Sequence, residues 1–168
     1  MGNTSAPHWN PGSKGIFFGA TLGTTKADWL RATMEGVAFD LYSNIKIAIA
    51  SGARIDKLTL NGGPTKSPFW NRITADVTDK PLQTTNVDEA APLGDAILAA
   101  KGAGIYKTLT EPLDQMVKVT TTIDPDPATH EMYMEFYGIW ERIYQDLRSE
   151  LEDHHKLLFK YNMGKKRS

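Results

Sequence analysis

The chain has 168 residues, of which 40% are hydrophobic and 23% charged, so it has the size and composition of one ordinary globular domain. Its formal net charge of −1 gives no basic surface for nucleic acid, and no apolar run reaches the ~18 residues that a membrane span requires. Without cysteine the chain has no disulfide, thiolate metal site or cysteine nucleophile, and we expect it to be cytoplasmic.

The first predicted element is a helix from about Lys26 to Ser51. Thr25 is the expected N-cap, with Asp28 at the capping-box position three residues on, and Gly52 follows as a stop signal. Gly36 interrupts the helix and predicts the close approach of another backbone. Apolar residues at three- and four-residue steps predict the buried face: Leu30, Met34, Val37, Ala38, Leu41, Ile45 and Ala48.

A short strand and a second helix flank two glycines. The strand contains Leu58 and Leu60, which alternate with polar neighbours, and it is expected to end at Asn61. Ser67 as N-cap, followed by a proline in the first turn, begins a helix that is expected to reach about Val77.

The rest of the chain continues the alternation of strands and helices. We expect a strand in KPLQTT, a helix from about Glu89 to Gly102, an edge strand from Met116 to Thr120, and a long final helix after DPDPATH. The apolar stripe of that helix comprises Tyr133, Phe136, Trp140, Ile143, Tyr144, Leu147 and Leu151. The pattern predicts an α/β fold with a short sheet of two or three strands and flanking helices.

The stretch LNGGPTKSPFW, from Leu60 to Trp70, has two glycines followed by Lys-Ser, as phosphate-binding loops of the Walker type do. Such a loop requires G-x-x-x-x-G-K-[ST]. When Lys66 is aligned on the motif's lysine, Thr65 and Leu60 occupy the positions where glycine is required. The stretch is therefore not a Walker loop.

Two interpretations of the paired glycines remain. Because Gly62 and Gly63 lie between a strand end and a helix start, a ligand could rest on their backbone, and the helix N-terminus would favour a phosphate or a ribose. In the alternative, the glycines supply a positive φ for a tight turn that Pro64 stiffens. Taken without further context, the residues favour the tight turn.

Two clusters that could bind metal are interpreted as structural. Asp124 and Asp126 belong to a proline-fixed turn and a helix N-cap, and they lack the spacing of an EF-hand. The pair His130-Glu131 begins an H-E-x-x-H zinc motif, but Met134 stands where the second histidine is needed. We assign no catalytic residue and no metal ligand.

Four segments, in order along the chain, resemble the C-terminal region of the FGGY carbohydrate kinases. They are WNPGSKGIFFG (Trp9–Gly19), RATMEGVAFDL (Arg31–Leu41), LNGGPTKSPFWNRITADVTDKPL (Leu60–Leu82) and EAAPLGDAILAAKGAGIY (Glu89–Tyr106). The resemblance extends from about Trp9 to Leu151. It implies the actin-like ATPase fold, in which two domains of ribonuclease-H-like topology close over ATP and a sugar, and this chain is expected to form part of one such domain.

The resemblance also implies a nucleotide site. Gly62 and Gly63 match the family's adenosine motif, in which the nucleoside lies against bare backbone. Pro64 is the next residue of the motif, and Ser67 occupies a position that often faces the adenine or the ribose.

Further candidates enter by analogy with related actin-like ATPases. Arg31 and Glu35, on the helix before the strand, are candidates for lining the nucleoside, and the alternative is a surface ion pair one helical turn apart. Asn71 is expected to help hold the glycine loop. Phe69 and Trp70 are interpreted as core residues. Asp76 and Glu89 are interpreted as structural anchors for caps and loops.

The chain departs from the family in two ways. It has Asn10 in place of the usual aspartate, and Asp95 where a small residue is usual. In addition, the family's catalytic aspartate, phosphate loops and sugar pocket have no counterpart here.

We therefore expect residues 1–168 to form a single domain, the C-terminal portion of a kinase whose N-terminal catalytic domain is absent. The resemblance implies ATP and Mg²⁺ as cofactors, and a sugar, best guess xylulose, bound through the missing domain. This portion alone is expected to be inactive and to self-associate. The alternative is a stand-alone nucleotide-binding or regulatory module without catalysis.

Overall fold

The computed structural model describes residues 9–10 and 12–161, in two compact units. Among the described residues, the first unit combines those up to Arg54 with those from Ala128 onward, and the second comprises residues 55–127. In chain order the elements are α1 (Lys26–Ala50), β1 (Leu58–Leu60), a 3₁₀ turn (Gly63–Lys66), α2 (Pro68–Thr78), β2 (Leu82–Thr85), α3 (Ala90–Gly102), α4 (Thr110–Met116), β3 (Val119–Ile123), α5 (Pro127–Asp146) and α6 (Arg148–Lys160). None of the helices in these described ranges is both long and apolar enough to cross a membrane.

Helix α1 begins as predicted. Thr25 Oγ1 accepts the backbone N–H of Asp28 at 3.3 Å, and Asp28 Oδ2 accepts the backbone N–H of Thr25 at 2.8 Å, which completes the capping box. These bonds satisfy two backbone donors that a helix N-terminus would otherwise leave unpaired. The cap fixes the start of the helix without help from tertiary packing.

The buried face of α1 is only partly the predicted one. Leu30 and Val37 are 63% and 50% exposed, so their assignment to the core is wrong. The buried residues of the helix are Ala38, Phe39, Ser43 and Ile45. The expected close approach at Gly36 is also wrong, because a Cβ there would meet nothing within 4 Å outside its own helix in the described part of the chain.

The packing of α5 on α1 explains this shift. The ring of Phe39 lies 6.1, 5.9 and 6.0 Å from the rings of Tyr133, Tyr137 and Trp140, a spacing typical of favourable aromatic pairs. Ser43 Oγ lies 2.9 Å from the hydroxyl of Tyr137. The aromatic side chains of α5 therefore cover the middle of α1 and leave Leu30 and Val37 exposed.

The prediction of one long final helix is wrong. Helix α5 ends at Asp146 and α6 begins at Arg148, because Leu147 between them has a ψ of 7°, outside the helical range. No glycine or proline accounts for the break. The stripe is also shifted, since Tyr137 is buried while Phe136 is 56% exposed.

The second unit contains a three-stranded sheet in the order β1-β2-β3, as the predicted short sheet requires. Strands β1 and β2 are parallel, with Leu58 opposite Leu82, whereas β2 and β3 are antiparallel, with Leu82 opposite Ile123. Helix α2 carries much of the packing, with its residues from Ile73 to Thr78 buried. The parallel pair places the carboxyl ends of β1 and β2 at the same edge of the sheet.

The edge strand is present, but it begins later than predicted. Val119 is its first residue, because the segment before it forms helix α4. Thr108 Oγ1 accepts the backbone N–H of Glu111 at 3.2 Å, and Glu111 Oε2 accepts the backbone N–H of Thr108 at 3.4 Å. This T-x-x-E pair has the spacing of a capping box and lies one residue before Leu109, the N-cap of α4, so the sequence contained a signal near the start of this helix.

Candidate functional site

The paired glycines form a short turn directly after β1. Gly62 has φ +82° and ψ −161°, a conformation that is essentially restricted to glycine. The turn closes on the Gly62 carbonyl, which accepts the backbone N–H of Thr65 at 3.1 Å and the Thr65 hydroxyl at 2.6 Å. The tight-turn interpretation therefore accounts for Gly62, and the short hydroxyl bond shows that Thr65 helps to close the turn.

Gly63 is different from its neighbour. Its φ is not positive, and a Cβ at this position would meet nothing within 4 Å in the described part of the chain. Neither a positive φ nor crowding by residues beyond its two chain neighbours requires glycine here, although the helical region is disfavoured for side chains before a proline such as Pro64. Gly63 therefore presents exposed, bare backbone at the surface, which is what a flat ligand needs for close approach.

Helix α2 begins at the end of this turn. Ser67 is its N-cap, and its Oγ accepts the backbone N–H of Trp70 at 3.3 Å, with Pro68 in the first turn, as predicted. No acidic residue lies in the first turn, so the partial positive charge of the helix N-terminus is not neutralised there. Phe69 is 53% exposed, so its assignment to the core is wrong.

Asn71, one turn into α2, holds the glycine turn as predicted. Its side-chain Nδ2 donates to the backbone carbonyl of Thr65 at 3.1 Å. On the other side of the turn, the hydroxyl of Thr85 at the end of β2 donates to Asn61 Oδ1 at 3.1 Å. The turn is thus bonded to α2 through Asn71, and Asn61, the residue before the turn, is bonded to the end of β2. The turn therefore lies beside the carboxyl ends of the two parallel strands.

Asp76 is a structural anchor, as expected. This buried carboxylate accepts the backbone N–H of Asp126 at 2.9 Å and lies 3.4 Å from Arg72 Nη1. Arg72 also donates to the backbone carbonyl of Asp124. Glu89, the second expected anchor, is the N-cap residue of α3 but makes no side-chain capping bond.

Arg31 and Glu35 lie in the first unit and form the ion pair of the alternative interpretation. Arg31 Nε donates to Glu35 Oε1 at 2.7 Å, and the hydroxyl of Tyr133 donates to the same oxygen at 3.1 Å. The hydrogen bond that Arg31 donates to Glu35 is the main cause that raises the pKa of Arg31, and burial is the main cause that raises the pKa of Tyr133. The structure brings these residues together, and it separately brings together the residues of the glycine turn.

An open cavity of about 900 Å³ in the first unit was not anticipated from the sequence. It lies between α1, α5 and residues 15–18, and Arg31 and Glu35 are among its few charged residues. The aromatic part of its lining consists of Phe17, Phe18, Phe39, Tyr133, Phe136 and Trp140. These residues are dispersed in sequence over two helices and a loop, so periodicity could identify each face but not the space between them.

A sequence profile described as "FGGY family of carbohydrate kinases, C-terminal domain" matches residues 2–103, which include α1, β1, the glycine turn, α2, β2 and α3. The chain belongs to this family. The four segments that resembled the FGGY kinases are therefore a true family signature.

Individual FGGY kinases are similar to this chain over most of its length. The xylulose kinase of Staphylococcus epidermidis is 33% identical over 147 residues, covering 88% of this chain and 30% of the relative. The autoinducer-2 kinase of Escherichia coli is 37% identical over 122 residues, covering 72% of this chain and 23% of the relative. This chain thus spans at most about 30% of the length of these relatives.

The fold agrees with that of FGGY kinases. The crystal structure of ligand-bound xylulose kinase from Lactobacillus acidophilus superposes with a TM-score of 0.79 at 24% identity, covering 89% of this chain and 30% of that one. The predicted α/β class and the actin-like ATPase fold are therefore confirmed.

One departure from the FGGY pattern is chemically conservative. Asn10, in place of the usual aspartate, accepts the backbone N–H of Gly12 at 2.8 Å through Oδ1, as a carboxylate could. Pro11 of the same motif lies outside the described residues. Asp95, the other departure, is exposed on α3.

Proposed function

We propose that this chain is the nucleotide-binding C-terminal portion of an ATP-dependent carbohydrate kinase, which transfers a phosphoryl group to a sugar hydroxyl. The observation that carries the proposal is the bare backbone of Gly63, exposed where β1 ends and α2 begins. In open α/β sheets, ligands collect beyond the carboxyl ends of the parallel strands. Glycine at that place lets a nucleoside lie directly on the main chain.

Each residue of the turn has a distinct part in this proposal. Gly62 and Gly63 provide the surface for the adenosine, and Pro64 stiffens the turn that follows. Ser67 caps α2 and lies where its hydroxyl could face the ribose or the adenine. Arg31 and Glu35 stay second-tier candidates, because they belong to the other compact unit and already pair with each other.

ATP would enter with Mg²⁺, which neutralises its phosphates during phosphoryl transfer. Within the described residues no group of three or more histidine, aspartate or glutamate side chains is placed to hold a metal ion. We propose that the metal arrives bound to the phosphates of the nucleotide. A cytoplasmic location, favoured by the absence of cysteine, stays a prediction.

The substrate we propose is a sugar of the ketose class, with xylulose as the best guess. The support is the similarity to a xylulose kinase, and the comparable identity to an autoinducer-2 kinase, 37% against 33%, keeps the class broad. We expect a separate catalytic domain to bind the sugar and to supply the catalytic base. The chain alone should therefore make no sugar phosphate from ATP, Mg²⁺ and xylulose, and turnover in a coupled ADP assay of pure chain would contradict this.

The proposal is tested by titrating the chain with ADP while its backbone amides are followed by ¹H–¹⁵N NMR, which detects even weak binding at individual residues. We expect saturable shifts at Gly62, Gly63 and Ser67. Shifts confined to the cavity residues, such as Tyr133 and Trp140, would place the nucleotide elsewhere, and no saturable shift would contradict nucleotide binding. The alternative is a stand-alone nucleotide-binding module without catalysis. It predicts the same NMR shifts with ADP, but no phosphorylation of any sugar by the complete protein.

A further inference from the structure

Asn71 has an unusual environment for an amide side chain. It is 4% exposed in the first half of α2, and its Nδ2 donates to the carbonyl of Thr65 at 3.1 Å. Its Oδ1 is buried and has no hydrogen-bond partner in the described part of the chain. The NH₂ group of the amide therefore makes one hydrogen bond, while its buried oxygen makes none.

The chemistry of Thr65 fixes which way this amide points. A backbone carbonyl can only accept hydrogen bonds, so the NH₂ group of Asn71 has to face it. Turning the amide over would set two acceptor oxygens against each other. The unsatisfied Oδ1 is thus the consequence of keeping a donor directed at the turn.

A chain of hydrogen bonds runs from this donor to the glycines. Asn71 bonds to the Thr65 carbonyl, and the Thr65 N–H and hydroxyl both bond to the Gly62 carbonyl, at 3.1 and 2.6 Å. This series of hydrogen bonds starts from a well-packed helix, because α2 is buried from Ile73 to Thr78. The turn is therefore held from the helix and not only by its own sequence.

We infer that Asn71 is a positioning residue, which holds the Gly62–Lys66 turn in the shape that a bound nucleoside would contact. The inference rests on the proposed function and deepens it. Asn71 itself is too deeply buried to touch the ligand, so it acts through Thr65 and Gly62. Without its donor the turn would sample other shapes, and the nucleotide would have to order it on binding.

Two variants remove the donor in different ways. Asn71→Leu keeps the number and branching of the side-chain heavy atoms and introduces no charge, so it should fold even if Asn71→Asp, which buries a carboxylate, does not. The matched control is Thr74→Val on the same helix. Thr74 is also buried, at 5% exposure, but its hydroxyl bonds to the Trp70 carbonyl at 2.9 Å and does not reach the turn.

The first readout is amide exchange with water, measured by NMR without nucleotide. The N–H groups of Thr65 and Ser67 bond to the carbonyls of Gly62 and Pro64, at 3.1 and 3.0 Å, and so report on the turn. In Asn71→Leu they should exchange about tenfold faster, while the amides of α2 from Ile73 onward keep their protection. In Thr74→Val the amides of the turn should be unchanged.

The second readout is the dissociation constant for ADP from the same NMR titration. It should rise about tenfold in Asn71→Leu and stay within twofold in Thr74→Val. Unchanged exchange at Thr65 would overturn the inference, and so would faster exchange with an unchanged ADP constant. If the unaltered chain binds no ADP, the proposed function fails instead, and the exchange data still decide whether Asn71 holds the turn.

Discussion

The buried carboxylate of Asp76 accepts the backbone N–H of Asp126 at 2.9 Å, although the two residues are 50 positions apart in the sequence. This bond ties the middle of α2 to the proline-rich turn that follows β3. Arg72 strengthens the tie by contacting both the Asp76 carboxylate and the carbonyl of Asp124. Asp76, which was expected to be a structural anchor, is therefore part of the scaffold of the second unit.

Replacing Asp76 should cost stability. Asp76→Ala leaves the N–H of Asp126 without its partner and should lower the free energy of unfolding by about 1–3 kcal/mol. Urea denaturation measures the loss, with Asp88→Ala, at an exposed position, as the control. Equal stability of the two variants would mean that the Asp76 bond contributes nothing.

Tyr133 should make stability depend on alkaline pH. Burial is the main cause that raises its pKa, so the folded chain favours the neutral phenol. Its contribution is fully present below the unfolded value, near pH 10, and is lost as the pH rises through the folded value. The stability difference between the unaltered chain and Tyr133→Phe should therefore stay constant from about pH 8 to about pH 9 and shrink from about pH 10 upward.

The control for this pH dependence is Tyr161→Phe, because Tyr161 is 62% exposed. Urea midpoints of both variants and of the unaltered chain are measured across the same pH range. Tyr161→Phe should follow the unaltered chain at every pH. A difference for Tyr133→Phe that stays constant or grows on the alkaline side would show that the buried phenol has no such role.

Local signals in the sequence predicted the elements that local bonds define. Thr25 with Asp28, and Ser67 with the proline after it, mark helix starts whose capping bonds are present. The buried faces of the helices were harder to predict from the sequence. Leu30 and Val37 fit the apolar periodicity of α1, but both are exposed because α5 does not cover them. Which face is buried depends on residues about a hundred positions away, and periodicity carries no such information.

For the candidate site too, the sequence indicated the location but not the role of each residue. The glycine pair marked the place, but only the backbone angles separate Gly62, which needs glycine for its φ, from Gly63, which does not. The role of Thr65 was missed, although a threonine three residues after a turn carbonyl commonly bonds back to it. The break at Leu147 has no signal in the sequence that we can identify.

Ser67→Ala should affect stability more than nucleotide binding. Loss of the cap on Trp70 should lower the free energy of unfolding by about 1 kcal/mol. The ADP dissociation constant should rise less than in Gly63→Val, because the nucleoside is proposed to lie mainly on backbone. Urea denaturation and NMR titration of the same sample give both values, and a larger effect on ADP from Ser67→Ala would make the hydroxyl the main contact.

Gly62→Val should be destabilising for a conformational reason. A branched side chain at φ +82° and ψ −161° should lower the free energy of unfolding by about 1–3 kcal/mol. Gly63 has no positive φ, so Gly63→Val should lose less stability than Gly62→Val, with a smaller cost from the contact of its side chain with Pro64. If the two variants lose equal stability, the distinction between the two glycines is wrong.

The most direct test of the account is the ADP dissociation constant of Gly63→Val, measured by NMR titration beside the unaltered chain. The control is Gly94→Val, at another glycine without positive φ or close neighbours in the described structure. We predict a folded Gly63→Val variant with an ADP constant raised at least tenfold, about 1.4 kcal/mol of lost binding, and no change in the control. A folded Gly63→Val variant that binds ADP as the unaltered chain does would show that the nucleoside does not lie on this backbone.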